Sequence, residues 1–202
     1  MRGRFITFEG GEGVGKSTQL GRAADWLRGE GVDVVVTREP GGTPLAERLR
    51  ELVLAEPMDP IAETMLLFAA RADHVQRVIA PALHAGTWVL CDRFTDATFA
   101  YQGGGKGVAA ELIAHLAQAS HNGLLPDRTL VFDCPYEVSR ERLARTGRAP
   151  DRFEREDRGF FERVRQAYLG LAHANPERIR VLDASRPVAD IKKVIEEEIS
   201  TL

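Results

Sequence analysis

Residues Gly10 to Ser17 read Gly-Gly-Glu-Gly-Val-Gly-Lys-Ser, the G-x-x-x-x-G-K-[ST] spacing of a phosphate-binding loop. Its glycines let backbone N–H groups converge on phosphate oxygens with no Cβ in the way. Lys16 can reach the outer phosphates, and the Ser17 hydroxyl can ligate Mg²⁺. Four fixed positions of this kind recur by chance in roughly one chain of this length in a hundred, so context decides. Arg4 to Phe8 reads as a strand before the loop. Leu20, Ala23, Ala24 and Leu27 after it have the i, i+3, i+4, i+7 spacing of a helix face. Strand, loop and helix in that order aim a helix N-terminus at an anion.

The same alternation runs through the chain. Val32–Val36, Thr87–Cys91, Thr129–Asp133 and Arg178–Leu182 read as four further strands. Helical stretches fall near 18–28, 45–54, 62–80, 108–119, 136–145, 153–173 and 187–199. Strands separated by helices imply one α/β domain over residues 1–202, with a five-stranded parallel sheet flanked by helices. Ligands of such sheets bind at the carboxyl ends of the strands. Thr37-Arg38-Glu39-Pro40-Gly41-Gly42-Thr43 follows the second strand, where the planar fork of Arg38 can hold a phosphate. Asp92-Arg93-Phe94 follows the third. An apolar strand ending in Asp92 is a carboxylate placed for Mg²⁺, so Ser17 and Asp92 are the expected metal ligands. Arg93 is a phosphate ligand rather than a base, which favours transfer to a second phosphate over hydrolysis.

Between Arg140 and Arg165 nine arginines stand against six acids in a chain of net charge −3. Gly147 and Pro150 break the helical pattern there. We expect a short mobile lid over about 142–153, with Arg148 and Arg152 stabilising a transferring phosphoryl group. A phosphate monoester has a second pKa near 6, so such an acceptor is already anionic at pH 7 and needs no general base. The net charge argues against a broad nucleic-acid surface. There is no apolar run of signal-peptide or membrane-spanning kind. Cys91 and Cys134 match no metal or redox spacing and read as buried thiols, so a cytoplasmic location is expected.

Taken together these segments resemble the thymidylate kinases, enzymes that phosphorylate dTMP with ATP. The carriers are Phe8-Glu9-Gly10, the Thr37–Thr43 segment, Asp92-Arg93-Phe94 and Ala100-Tyr101-Gln102-Gly103-Gly104-Gly105. The resemblance implies the nucleoside monophosphate kinase fold with sheet order 2-3-1-4-5. It implies an ATP site at Gly10, Gly11, Glu12, Gly13, Val14, Gly15, Lys16, Ser17, Thr18 and Arg186. Arg38 and Arg93 would hold the dTMP phosphate, and Glu12 would lie near the sugar 3′-hydroxyl. Phe68 would stack on thymine, with Leu67 the alternative because it stands four residues before Arg71. Arg71 would donate to a base carbonyl, Thr98 and Gln102 would line the pocket, and Tyr101 would crowd the ribose 2′ position. Lys16, Arg93 and the lid arginines Arg148 and Arg152 would be catalytic. A homodimer is implied as well. The competing readings are a kinase for dUMP, dCMP or a nucleoside, and a GTPase-type switch. The last needs an N/T-K-x-D motif, and none of Lys16, Lys106, Lys192 and Lys193 has Asp two residues on.

Overall fold

A computed structural model describes residues 2–147 and 149–202. The elements run β1 (Phe5–Gly10), α1 (Lys16–Gly29), β2 (Val34–Arg38), α2 (Pro44–Ala55), α3 (Pro60–His74), α4 (Ala80–His84), β3 (Trp88–Asp92), α5 (Thr95–Thr98), α6 (Ala110–His121), β4 (Arg128–Asp133), α7 (Tyr136–Ala144), α8 (Arg158–Ala174), β5 (Ile179–Asp183) and α9 (Val188–Ser200). A π-helical turn, Val75–Ile79, joins α3 to α4, and a second, Phe99–Gly105, extends α5. The five strands form one parallel sheet in the order β2-β3-β1-β4-β5.

The period of two along the strands decides which face each side chain joins. Ile6 and Phe8 of β1, Leu90 of β3, and Leu130 and Phe132 of β4 pack with Leu20, Ala24 and Leu27 of α1 and Ile191, Ile195 and Ile199 of α9. The intervening residues face the other way. Phe5, Val89 and Cys91 pack on Val75, Ile79 and Leu83, and Val131 packs on α8. β1 is therefore buried over its whole length, which puts Thr7 and Glu9 in the interior. Thr7 and Thr129 satisfy each other, hydroxyl to hydroxyl, at 2.8 Å.

Helix starts follow side-chain caps. Thr43 Oγ1 accepts from Ala46 N, Asp59 Oδ1 from Ile61 N and Asp157 Oδ1 from Phe160 N. The Asp157 cap corrects the expected helix over 153–173: it begins at Arg158. Before it, Asp151 and Glu154 cap each other's backbone N–H in a turn. The stretch 95–105 had not been expected to be helical, because Gly103-Gly104-Gly105 is poor helix sequence. Contact with α8 overrides propensity there. A Cβ on Gly104 would lie 2.6 Å from Ala167 Cβ, and one on Gly105 would lie 2.4 Å from the Phe160 ring. Glycine is what lets these two helical segments approach.

Glu9 is fully buried at the end of the central strand. Its Oε1 accepts from Phe94 N at 2.7 Å and its Oε2 from the Tyr168 hydroxyl at 2.7 Å. Burial, followed by nearby Asp96, pushes its carboxyl from an ordinary 4.5 up to about 8. Between those values the folded chain keeps a proton that the unfolded chain has lost, so folding stability falls as pH rises through the window. Glu9→Gln cannot titrate. The difference in unfolding midpoint between Glu9→Gln and wild type should therefore move in favour of the variant from pH 5 to pH 8. A difference independent of pH would refute a neutral Glu9.

Candidate active site

The phosphate-binding loop bridges β1 and α1. Gly15 is left-handed (φ 92°) and caps α1 with no side chain, so the first-turn N–H groups stay available to an anion. Gly13 is also left-handed (φ 71°), and a Cβ there would meet the Ser139 carbonyl oxygen at 2.4 Å. The loop thus packs against α7 through backbone. Lys16 Nζ curls over it and donates to the carbonyls of Gly11 at 2.9 Å and Gly10 at 3.4 Å. Burial, with Arg93 adding to it, holds the Lys16 ammonium below the ordinary lysine value.

At the foot of the loop the Ser17 hydroxyl donates to Asp92 Oδ2 at 3.0 Å, across from the end of β3. Asp92 Oδ1 is buried and has no hydrogen-bond partner among the described residues. A hydroxyl beside a carboxylate with a spare oxygen suits a hard cation that takes one or two protein oxygens and fills its shell with water and phosphate, as Mg²⁺ does. Among the described residues there is no cluster of three or more His, Cys, Asp or Glu able to cage a metal by itself.

Arg93 takes a left-handed backbone (φ 73°), unusual for a residue with a Cβ. Its N–H donates to Phe8 O, and its side chain folds back over the loop. Nη1 donates to Gly10 O at 3.0 Å and to the Tyr168 hydroxyl at 3.3 Å. Nη2 donates to Glu12 Oε1 at 2.6 Å and to the Tyr101 hydroxyl at 3.0 Å. The guanidinium lies 4.6 Å from the centre of the Tyr101 ring. Glu12 therefore pairs with Arg93 and accepts from Tyr101 as well. Burial pushes the Glu12 carboxyl up, but Arg93 and Lys16 outweigh it and hold it below its usual range.

These groups line one cavity of about 670 Å³. Lys16, Arg38, Arg50 and Arg93 line it near one another. Arg38 donates to Glu47 at 2.9 Å, and Arg50 donates to the Pro40 carbonyl at 3.0 Å. Burial, then the Arg38 charge, lowers the Arg50 pKa. Arg50 was not foreseen from sequence. The signal was present: Glu47 and Arg50 stand three apart on α2, hence on one helix face.

Leu67, Arg71, Thr98, Tyr101, Gln102 and Phe153 line another part of the wall. Arg71 is 4% exposed. Its Nε donates to Glu39 Oε2 at 2.6 Å, and its Nη2 to Phe94 O and Thr98 Oγ1. Glu39 Oε1 also meets His74 Nδ1, whose ring bonds Thr37 through Nε2. Burial raises the Glu39 pKa, but Arg71 and His74 outweigh it and hold the carboxyl below its usual value. With Arg71 so fixed, its Nη1 is buried and has no hydrogen-bond partner among the described residues.

Several expected residues sit elsewhere. Phe68 is not on the cavity wall. It packs with Val108 and Ile113 beneath the Arg71 guanidinium, 4.6 Å from its ring centre, and Leu67 lines the cavity instead. The helix position four before Arg71 shares its cavity-facing side here; the position three before turns into the core. Arg152 is also off the wall: its Nη2 is bonded to buried Glu63. Arg148 lies outside the described residues. Arg186 is half-exposed near Asp190, while Val188 and Ile191 line the cavity beside Thr18.

The profile of the thymidylate kinase family matches residues 8–195. The chain is 56% identical over 201 residues to a thymidylate kinase of Bordetella petrii, spanning 100% of this chain and 97% of that protein. It is 57% identical over 205 residues to one of Ectopseudomonas mendocina, with the same two coverages. Among solved structures, the thymidylate kinase of Ehrlichia chaffeensis superposes with a TM-score of 0.82 at 33% identity, covering 99% of each chain.

Proposed function

The chain belongs to the thymidylate kinase family, and from that membership we propose how its residues divide the work of moving the γ-phosphoryl group of ATP to dTMP. The observation that carries the assignment is the polarity of the cavity. Lys16, Arg38, Arg50 and Arg93 stand near one another on its wall, and Arg71, whose Nη1 has no partner among the described residues, lines it with Leu67, Thr98 and Gln102.

ATP lies on the phosphate-binding loop, with its phosphates over Lys16, Ser17 and the first turn of α1, and with its base toward Val188 and Ile191. The acceptor phosphate sits among Arg38, Arg50 and Arg93. A monoester dianion is already a nucleophile at neutral pH, so these groups hold two polyanions together rather than remove a proton. Ser17 and Asp92 would hold Mg²⁺, which supplies charge neutralisation on the phosphate oxygens. Leu67 flanks thymine, Arg71 Nη1 donates to its O4, and Tyr101, held by Glu12 and Arg93, crowds the ribose. Arg152 is bonded to Glu63, which makes Arg148 the first lid cation to test against the moving phosphoryl, with Arg145 next. Residues 142–153 act as the lid. Leu45 and Leu52 on α2, with Ile61 and Met65 on α3, are more than 40% exposed on two helices that pack together; this supports a homodimer through that face. Among the described residues no helix is long and apolar enough to cross a membrane, and the buried free thiols Cys91 and Cys134 support a cytoplasmic location.

Three outcomes follow. Lys16→Ala should fold normally and lose turnover, read by coupled ADP release; near-normal activity in the folded variant removes the loop assignment. Arg148→Ala should lower kcat by roughly 10³-fold with little change in the KM for dTMP, as for other arginine fingers. A wild-type kcat in Arg148→Ala, Arg145→Ala and Arg152→Ala alike would send the search for the catalytic cation back to Lys16 and Mg²⁺. In wild type, Arg71 Nη1 would face the amino group of cytosine, donor against donor. An unpaired buried group costs about 1–3 kcal/mol, so dTMP should exceed dCMP in kcat/KM by roughly 10- to 150-fold, and Arg71→Ala should narrow that gap. Equal kcat/KM for the two in wild type would bring forward the broader nucleotide-kinase reading.

A further inference from the structure

Glu63 stands on α3, fully buried, on the same side of the helix as Leu67 and Arg71, four and eight residues on. Neither of its oxygens is idle. Oε1 accepts from Gln102 Nε2 at 2.8 Å. Oε2 accepts from Lys106 Nζ at 2.8 Å and from Arg152 Nη2. Gln102 lines the cavity, Lys106 follows the π-helical turn, and Arg152 belongs to the segment between α7 and α8. Phe153, next to Arg152, also lines the cavity. Its ring lies 4.8 Å from Lys106 Nζ and from the Arg152 guanidinium, and meets Tyr101 edge-on.

A primary amide offers a donor at one end and an acceptor at the other, and its surroundings decide which end a ligand meets. A carboxylate flanked by two cations only accepts. Glu63 therefore fixes the Gln102 amide with its NH₂ inward and leaves Oε1 as the end available to a ligand. An acceptor beside the donor Arg71 Nη1 complements a pyrimidine with a carbonyl at C4 and an N–H at position 3. Cytosine offers the reverse at both places.

We propose that Glu63 is a positioning residue with a separate task for each oxygen. Oε1 orients Gln102 so that its carbonyl reads the N3–H of the base. Oε2 docks Arg152, and with it Phe153, over the same part of the cavity. Base discrimination and lid docking thus depend on one buried carboxylate that does not itself touch the substrate. The proposal rests on placing the base against Arg71 and Gln102.

The test compares wild type, Glu63→Gln and Gln102→Ala by kcat/KM for dTMP and for dCMP, with trypsin cleavage in the arginine-rich segment 145–158 as a second readout. In Glu63→Gln the two amides can rotate together, so Gln102 turns either end to the base. The dTMP/dCMP ratio should fall about tenfold, the scale of one mispaired buried group, and cleavage in 145–158 should quicken. A loss of folded protein would lower both rates alike and leave the ratio unmoved. If Gln102→Ala leaves the ratio at the wild-type value, the base placement fails. If Gln102→Ala collapses the ratio and Glu63→Gln preserves it, the placement stands and the role of Glu63 is overturned. Should Glu63→Gln not fold, Glu63→Asp keeps the charge and withdraws the oxygens by one methylene. Its ratio must also fall, and an unchanged ratio overturns the proposal.

Discussion

The pairing of Arg93 with Glu12 holds the site and the fold to one another. Arg93 directly follows β3 and Glu12 lies in the phosphate-binding loop after β1, so the pair fastens the segments leaving two adjacent strands. Tyr101 and Tyr168 add the π-helical turn and α8 to the same guanidinium. Removing one partner of a buried pair costs about 3–5 kcal/mol. Glu12 is 23% exposed, which places this pair toward the low end. The left-handed backbone of Arg93 persists because so many bonds determine it. The Arg93 guanidinium, proposed to meet the acceptor phosphate, is thus held by the protein alone.

Concentrating Lys16, Arg38, Arg50 and Arg93 in one wall creates a problem that the other residues answer. Like charges brought together out of water repel strongly. Glu12 and Glu47 relieve part of that, each spent on a single arginine. What remains is a positive field open toward the cavity, suited to substrates that bring several negative charges. Elsewhere in the cavity the balance is reversed. Glu39 takes up Arg71 Nε and Glu63 takes up Lys106 and Gln102, which leaves the Arg71 Nη1 amino group without a partner among the described residues. In the proposed reading, charge draws the phosphate in, and Arg71 with Gln102 reads the base.

Features set by local chemistry were legible in the sequence. The strands, the order of elements and the loop from Gly10 to Ser17 follow from period-two and helical patterns and from glycine spacing. Arg38, Arg71, Thr98 and Gln102 lie on the cavity wall because each closely follows a strand or shares one helical face. What escaped depends on distant contacts. The helical stretch 95–105 is allowed by α8 pressing on glycines, which no local propensity encodes. Phe68 and Leu67 differ by one residue, about 100° on a helix, and only the packing of α6 shows which one turns inward. Arg152 resembles Arg148 in sequence and is claimed by Glu63, eighty-nine positions earlier.

The central claim is that this cavity is built for an acceptor that already carries a phosphate. ADP release from ATP and Mg²⁺, measured with dTMP and with thymidine at equal concentrations, tests it most directly. The two differ only in the group that Arg38, Arg50 and Arg93 would hold. Turnover with dTMP and none above background with thymidine is the predicted result. Comparable turnover with thymidine would mean that the arginines do not hold the acceptor and that a base deprotonates a hydroxyl, contradicting the account.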